Sequence, residues 1–187
     1  AEELAQPQFQ EIEAIQRYNQ QKMLAAFSQA GVSESHFVSS TGYGYGDRGR
    51  DVLDQVYAYA FGAEDALVRH NFVSGTHTLT VALFGMLRPG DKMLCVTGTP
   101  YDTIQGVIGM EGREEPGSLK EFGIQYEELD LRADGTPDLE AMEQRITPEY
   151  KLIYIQRSRG YSLRPSLRVQ DIAPIVKIVR KKAPKAI

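Results

Sequence analysis

Between an apolar run and an apolar helix pattern, the stretch HNFVSGTHTLTVALFGMLRPGD (residues 70–91) places a small polar turn, Ser74-Gly75-Thr76. The first backbone N–H groups of a helix have no intrahelical partner and lie at the positive end of its dipole, so such a turn can hold an anion, most often a phosphate. Gly75 would let the anion approach the chain, and Ser74 and Thr76 would add hydroxyl donors. Plain N-capping, with glycine easing a tight turn, accounts for the same three residues equally well. Both readings stand on the residues alone.

Three further groups carry chemistry. Tyr101, after Pro100 in GTPY, either stacks on a planar ligand or fills the core. The loop TGYGYGDRGRD interleaves Tyr43, Tyr45, Arg48 and Arg50 with glycines, a mixture that suits a phosphate or a planar ring, although a flexible loop is the plain alternative. The loop RSRGY adds Arg157, Arg159 and Tyr161. Gly44-x-Gly46-x-x-Gly49 also has the spacing of a dinucleotide fingerprint, with Glu64 further on as a ribose-binding acid. That fingerprint needs a buried strand in front of it, and residues 33–41 offer only Phe37 and Val38, so the spacing is read as a coincidence. A Rossmann-like nucleotide binder is nevertheless kept as an alternative function.

Other chemistries find little support. His36, His70 and His77 lack metal-ligand spacing; His77, one residue into a helix, reads as structural, with a supporting role at the turn as the alternative. The single cysteine, Cys95, excludes an internal disulfide and a thiolate zinc cluster, and within Met93-Leu94-Cys95-Val96 it reads as a small buried hydrophobe. No nucleophile elbow, Walker loop or pair of catalytic carboxylates stands out.

These residues need elements to hold them. Phe9, Ile12, Ile15, Met23, Leu24 and Phe27 have helical spacing and predict an amphipathic N-terminal helix over 9–30, stopped by Gly31. A second helix carries Val52, Leu53, Val56, Tyr59 and Ala60, with Gly62 past its end. Strand and helix patterns then alternate: strand 66–73, helix 76–87, strand 92–97, helix 102–110, a polar loop 111–123, strand 125–131, helix 138–146, strand 151–156 and helix 169–182. Pro174 is expected in the first turn of that last helix. The alternation predicts an α/β layer structure with a mostly parallel sheet, whose ligands bind beyond the carboxyl ends of its strands.

Bulk properties narrow the rest. A chain of 187 residues with 42% hydrophobic and 25% charged residues can bury one sizeable core. Its net charge of −4 argues against a nucleic-acid partner, since that would require a basic face. The basic end of the last helix, Arg180-Lys181-Lys182, suits the negative end of a helix dipole. There is no stretch apolar enough to span a bilayer and no signal-like start, and with one cysteine this predicts a cytoplasmic protein without a membrane partner.

Taken together and in order, YGYGDRGRD, VSGTHTL, GTPYDT and IQRSRGYSLRPSL resemble the methionine gamma-lyase-like proteins linked to aluminium resistance, which are also described as cystathionine beta-lyase-like. These are fold-type-I pyridoxal-phosphate enzymes, and the resemblance runs from about Phe9 to the end of the chain. It implies an aspartate-aminotransferase-like three-layer α/β/α domain, with residues 1–40 as an N-terminal helix and arm and 41–187 as the first part of the large domain. It implies pyridoxal 5'-phosphate as cofactor, with its phosphate at Ser74, Gly75 and Thr76 and its ring stacked on Tyr101. A tyrosine of the 43–48 loop and Arg48 would reach the phosphate of a neighbouring subunit, so the active site would be shared within a homo-oligomer. The wider family spaces these two as Tyr-x-Arg, whereas here Tyr45 and Arg48 stand three apart, so either Tyr43 or Tyr45 takes the role. Arg159 is the expected substrate contact. The Schiff-base lysine and the aspartate that pairs with the pyridine nitrogen are expected beyond Ile187. The reaction implied is β- or γ-elimination from a sulfur amino acid, with transamination or another pyridoxal-phosphate reaction, such as decarboxylation, on the same fold as the alternative.

Overall fold

A computed structural model describes residues 2–112 and 116–187. Residues 113–115, inside the polar loop expected at 111–123, lie outside the described residues. The chain separates into two compact units, Ala1–Asn71 and Phe72–Ile187.

The first unit pairs two helices, α1 (Glu2–Gln29) and α2 (Arg48–Phe61). They meet through small side chains, Ala26 against Val56 and Ala60, with Ala30 and Val32 alongside. Helix α1 begins about two turns before the Phe9 start expected from its apolar spacing, because its first residues are good helix formers and Pro7 is accommodated within it. Gly62 closes α2 at a φ of +64°, a left-handed conformation that costs glycine little.

The strand expected at 66–73 does not form. Among the described residues the sheet contains three strands, and this segment is not one of them. A strand exists only where a neighbour completes its hydrogen-bond ladder. Residues 68–69 find their partners on α2 instead: the Val68 N–H donates to the Asp54 carboxylate at 2.7 Å, and the Arg69 guanidinium pairs with the same group. Burial opposes ionisation of Asp54, but these two contacts outweigh it and hold its carboxyl below the ordinary range.

The second unit is a parallel α/β structure. Strands β1 (Lys92–Cys95), β2 (Gln125–Glu128) and β3 (Tyr150–Tyr154) run in the order β2-β1-β3, with Met93 beside Tyr126 on one side and Leu152 on the other. Helices α3 (Gly75–Met86), α4 (Asp102–Ile108), α5 (Leu139–Arg145) and α6 (Val169–Lys182) complete it. Successive strand residues face opposite sides. Thus Met93 and Leu152 join Leu83, Ile104 and Ile108 of α3 and α4, while Leu94 and Ile153 join Met142, Ile175 and Ile178 of α5 and α6. The sheet is covered on both faces, as its unbroken apolar strands require.

Two details depart from the sequence pattern. Helix α3 is apolar nearly all round, yet Leu83 is its one buried residue, and Leu79 and Val81 are exposed. Helix α6 begins at Val169, so Pro174 lies inside it rather than in its first turn. Its start is fixed by Asp171, whose carboxylate accepts the Arg168 N–H at 2.7 Å. The loop at 111–123 is also less polar in effect than in composition, since Leu119 is fully buried against Ile108 and Ile124.

Candidate functional site

Helix α3 begins where the Ser74 hydroxyl accepts the His77 N–H at 3.0 Å. The Thr78 N–H and hydroxyl both donate to the Ser74 carbonyl at 3.1 Å. That satisfies the third and fourth amides of the helix. The Gly75 and Thr76 N–H groups find no protein acceptor among the described residues. Capping and anion binding, which the sequence leaves as rivals, are therefore compatible: Ser74 caps, and two donors remain open at the helix start. A Cβ built on Gly75 would meet nothing within 4 Å, so the backbone is accessible from outside.

His77 shapes this turn. Its Nδ1 accepts the Val73 N–H at 3.3 Å, which places the neutral ring's proton on Nε2, and its ring meets Phe72 edge-on at 6.0 Å.

Gly75 and Thr76 line a cavity of about 540 Å³ together with Thr103, Tyr101, Gln156 and Arg157 among others. The Thr76 and Thr103 hydroxyls lie 2.7 Å apart. Whichever accepts keeps its own proton for a ligand, so the pair adds one further donor. Tyr101, expected at the site, shares the cavity wall with Gly75 and Thr76. Its ring stacks on Tyr161 at 6.0 Å and 27°, and the Tyr161 phenol beside it holds the Tyr101 phenol above its ordinary pKa. The ring is accordingly neutral at physiological pH.

Arg159 lines a different cavity, of about 560 Å³, on which Tyr101, Tyr161, Asp130 and Arg164 also open. The guanidinium-bearing residue on the Gly75 cavity is Arg157, two positions earlier. Thr103 was not singled out in the sequence, and Gln156 entered only as part of the IQRSRGYSLRPSL stretch, whose loop the resemblance places near the cofactor ring and substrate. The threonines on the approach to α4, Thr97 and Thr99, were the available signal for Thr103.

The glycine-rich loop belongs to the first unit, and it is not a dinucleotide fingerprint. Among the described residues no strand precedes it, and α2 is capped by Asp47, whose carboxylate accepts the Arg50 N–H at 3.3 Å. A carboxylate thus occupies the position a pyrophosphate would need. The Ser40 hydroxyl, at 2.9 Å, and then Arg50 hold that carboxyl below its usual range. Arg50 also reaches the Gly42 carbonyl, so it pins the loop, while Tyr43 and Tyr45 point outward, each more than four-fifths exposed. Arg48, the first residue of α2, is exposed as well.

Cys95 is a buried thiol donating to the Gly98 carbonyl at 3.0 Å, and burial raises its pKa, so it is no nucleophile. Among the described residues no cluster of three metal-ligating side chains occurs, and no helix is long and apolar enough to cross a membrane.

Over its whole length, residues 1–187, the sequence matches the methionine gamma-lyase family. The chain belongs to that family. It is 46% identical over 171 residues to the Bacillus subtilis protein YnbB, a match covering 91% of this chain and 41% of that protein. It superposes with a TM-score of 0.92 on the carbon–sulfur lyase involved in aluminium resistance from Clostridium novyi, at 49% identity, covering 97% of this chain and 43% of that one. To the L-methionine gamma-lyase of Pseudomonas putida it is 30% identical over 111 residues, 58% of this chain and 23% of that enzyme. This methionine gamma-lyase family chain therefore spans less than half the length of these relatives. The α/β fold with its parallel sheet is the one expected from the resemblance.

Proposed function

We propose that this chain contributes the phosphate- and ring-binding part of a pyridoxal 5'-phosphate site in a cytoplasmic carbon–sulfur lyase acting on a sulfur amino acid. The observation that carries the reading is the meeting, on one cavity, of two open helix-start amides and an aromatic ring in a methionine gamma-lyase family chain. The donor set fits the cofactor. The Gly75 and Thr76 N–H groups, the Thr76–Thr103 hydroxyl pair and the positive end of α3 suit a phosphate dianion, and the neutral Tyr101 ring suits a planar pyridine. Ser74 holds the helix start in register, and Arg157 offers a cation on the same wall.

When bound, the cofactor supplies an electron sink for a carbanion at the substrate's α-carbon. The residues here bind and orient it: the amides fix one end, and Tyr101 fixes the plane of the ring. Among the described residues no lysine lines this cavity. The lysine that would anchor the cofactor covalently and move the α-proton, and the aspartate that would pair with the ring nitrogen, are placed outside residues 1–187 in this reading. Tyr43 or Tyr45, together with Arg48, would serve the phosphate of a second subunit, which makes the enzyme a homo-oligomer with shared sites. Their outward exposure is consistent with that task.

The test uses the full-length protein. Purified with pyridoxal phosphate, it is expected to hold the cofactor, visible as an absorbance band, and to release a keto acid and ammonia from methionine or cystathionine. A protein that takes up the cofactor yet releases no keto acid from any sulfur amino acid defeats the lyase assignment. One that takes up none defeats the site.

A further inference from the structure

Gln156 lies just past β3 on the wall common to both cavities beside Tyr101. All its polar groups are engaged. Its Oε1 accepts the Tyr101 N–H at 2.7 Å, and its Nε2 donates to the Ser158 carbonyl at 3.2 Å. Its own N–H donates to the buried Thr97 hydroxyl at 2.9 Å, and its carbonyl accepts from Arg164 Nη2 at 3.3 Å. Arg164 Nη2 also donates to the Ser158 carbonyl at 2.8 Å. One side chain thus joins the loop after β1, which carries Tyr101, to the loop after β3.

The second loop also touches the Tyr101 ring itself. Gly160 has a φ of +57°, and a Cβ there would come within 2.7 Å of the ring's Cδ2 and Cε2. The ring therefore rests against bare backbone, with Tyr161 stacked beside it. Where the β3 loop goes, the ring goes. The bond from Gln156 Oε1 to the Tyr101 N–H is the side-chain hydrogen bond that joins the two at Tyr101 itself.

We infer that Gln156 is a positioning residue that sets the plane of the Tyr101 ring against the bound cofactor. This inference rests on the pyridoxal-phosphate reading above. An amide side chain suits the role because it accepts from one loop and donates to the other at once. A hydrophobe of the same size would fill the space and leave the Tyr101 N–H without its partner.

The test compares Gln156→Leu with Gln156→Glu in the full-length protein at saturating pyridoxal phosphate, reading the visible circular dichroism per mole of bound cofactor. Thermal melts run in parallel. The leucine variant keeps the volume and removes the acceptor; the glutamate variant keeps the acceptor to Tyr101, gives up the bond to Ser158 and adds a charge, so it is read by dichroism per mole of bound cofactor and not by affinity. Gln156→Leu is expected to lose about half or more of the dichroism and to weaken cofactor binding roughly five- to tenfold, the worth of one hydrogen bond. Gln156→Glu is expected to keep most of the dichroism. Unchanged dichroism in the leucine variant, even with a lowered melting temperature, overturns the inference by showing a structural role alone. Equal loss in both variants overturns it too, since the acceptor would then be irrelevant. A wild-type protein that binds no cofactor brings down the underlying site reading instead, so the two failures are separable.

Discussion

Helices α2 and α3 both begin beside glycines in polar loops, and their first residues bear on phosphate in opposite ways. At α2 the cap is Asp47, a carboxylate tied to Ser40 and Arg50, and the helix's positive end is neutralised from within. At α3 the cap is Ser74, an uncharged hydroxyl that serves the third amide and leaves the first two open. The glycine-rich motif lies at the first, the vacant donors at the second. Glycine spacing permits close approach; the charge of the cap decides whether an anion is welcome.

The sharpest way to break this comparison is to give α3 the cap that α2 has. Ser74→Asp preserves the helix start, because aspartate caps as well as serine. It places a carboxylate against the bound phosphate, costing about 3 kcal/mol at ~5 Å and an effective dielectric of ~20. Pyridoxal-phosphate affinity, followed by absorbance titration, is expected to fall about 100-fold while the melting temperature holds. An unaffected affinity would mean that the phosphate lies elsewhere.

Next in size is the ring. Tyr101→Ala removes the stacking surface and is expected to weaken cofactor binding roughly tenfold, in line with about 0.5–1.5 kcal/mol for an aromatic pair beyond its area. Tyr101→Phe is expected to bind nearly as well as wild type, because the phenol is held protonated. A large loss in the phenylalanine variant would assign the hydroxyl a role that its surroundings do not suggest. Thr103→Val should cost less again, about three- to tenfold in affinity, by removing one hydroxyl of the 2.7 Å pair.

The smallest effect belongs to the other helix. Asp47 has a carboxyl pKa lowered from 3.8 by the Ser40 hydroxyl and Arg50. A lowered folded-state value contributes stability that is present above the unfolded pKa and lost as pH falls through the folded one. Asp47→Asn should therefore lower the melting temperature slightly at neutral pH, and wild type and variant should converge as pH falls through the lowered folded-state value, as read by circular dichroism melts. Convergence at neutral pH instead would show that the cap carries no charge-dependent stability.

Much of the second unit was legible as periodicity. Lys92–Cys95 and Tyr150–Tyr154 are short apolar runs bounded by turns, and their side chains alternate between two covered faces as such runs should. Helices α4 and α5 begin and end within about two residues of where spacing placed them. Residues 66–73 have comparable apolar content and form no strand, because a ladder partner is a property of the neighbour rather than of the segment. In the same way Phe9, Ile12 and Ile15 declare an amphipathic helix correctly, but their exposure could not be read from their spacing.

The sequence by itself determined the class of fold, the start of α3 at Ser74-Gly75-Thr76 and the presence of a tyrosine just beyond β1. These depend on local matters: side-chain period, cap chemistry and turn propensity act within a few residues. Only the tertiary structure decided that Gly75, Thr76, Thr103 and Tyr101 border one cavity, that Arg157 rather than Arg159 lies on it, and that Gln156 ties the two loops together. Those residues are as many as 82 positions apart, from Gly75 to Arg157, and are brought together by parallel strand pairing, whose register is set by packing on both faces of the sheet.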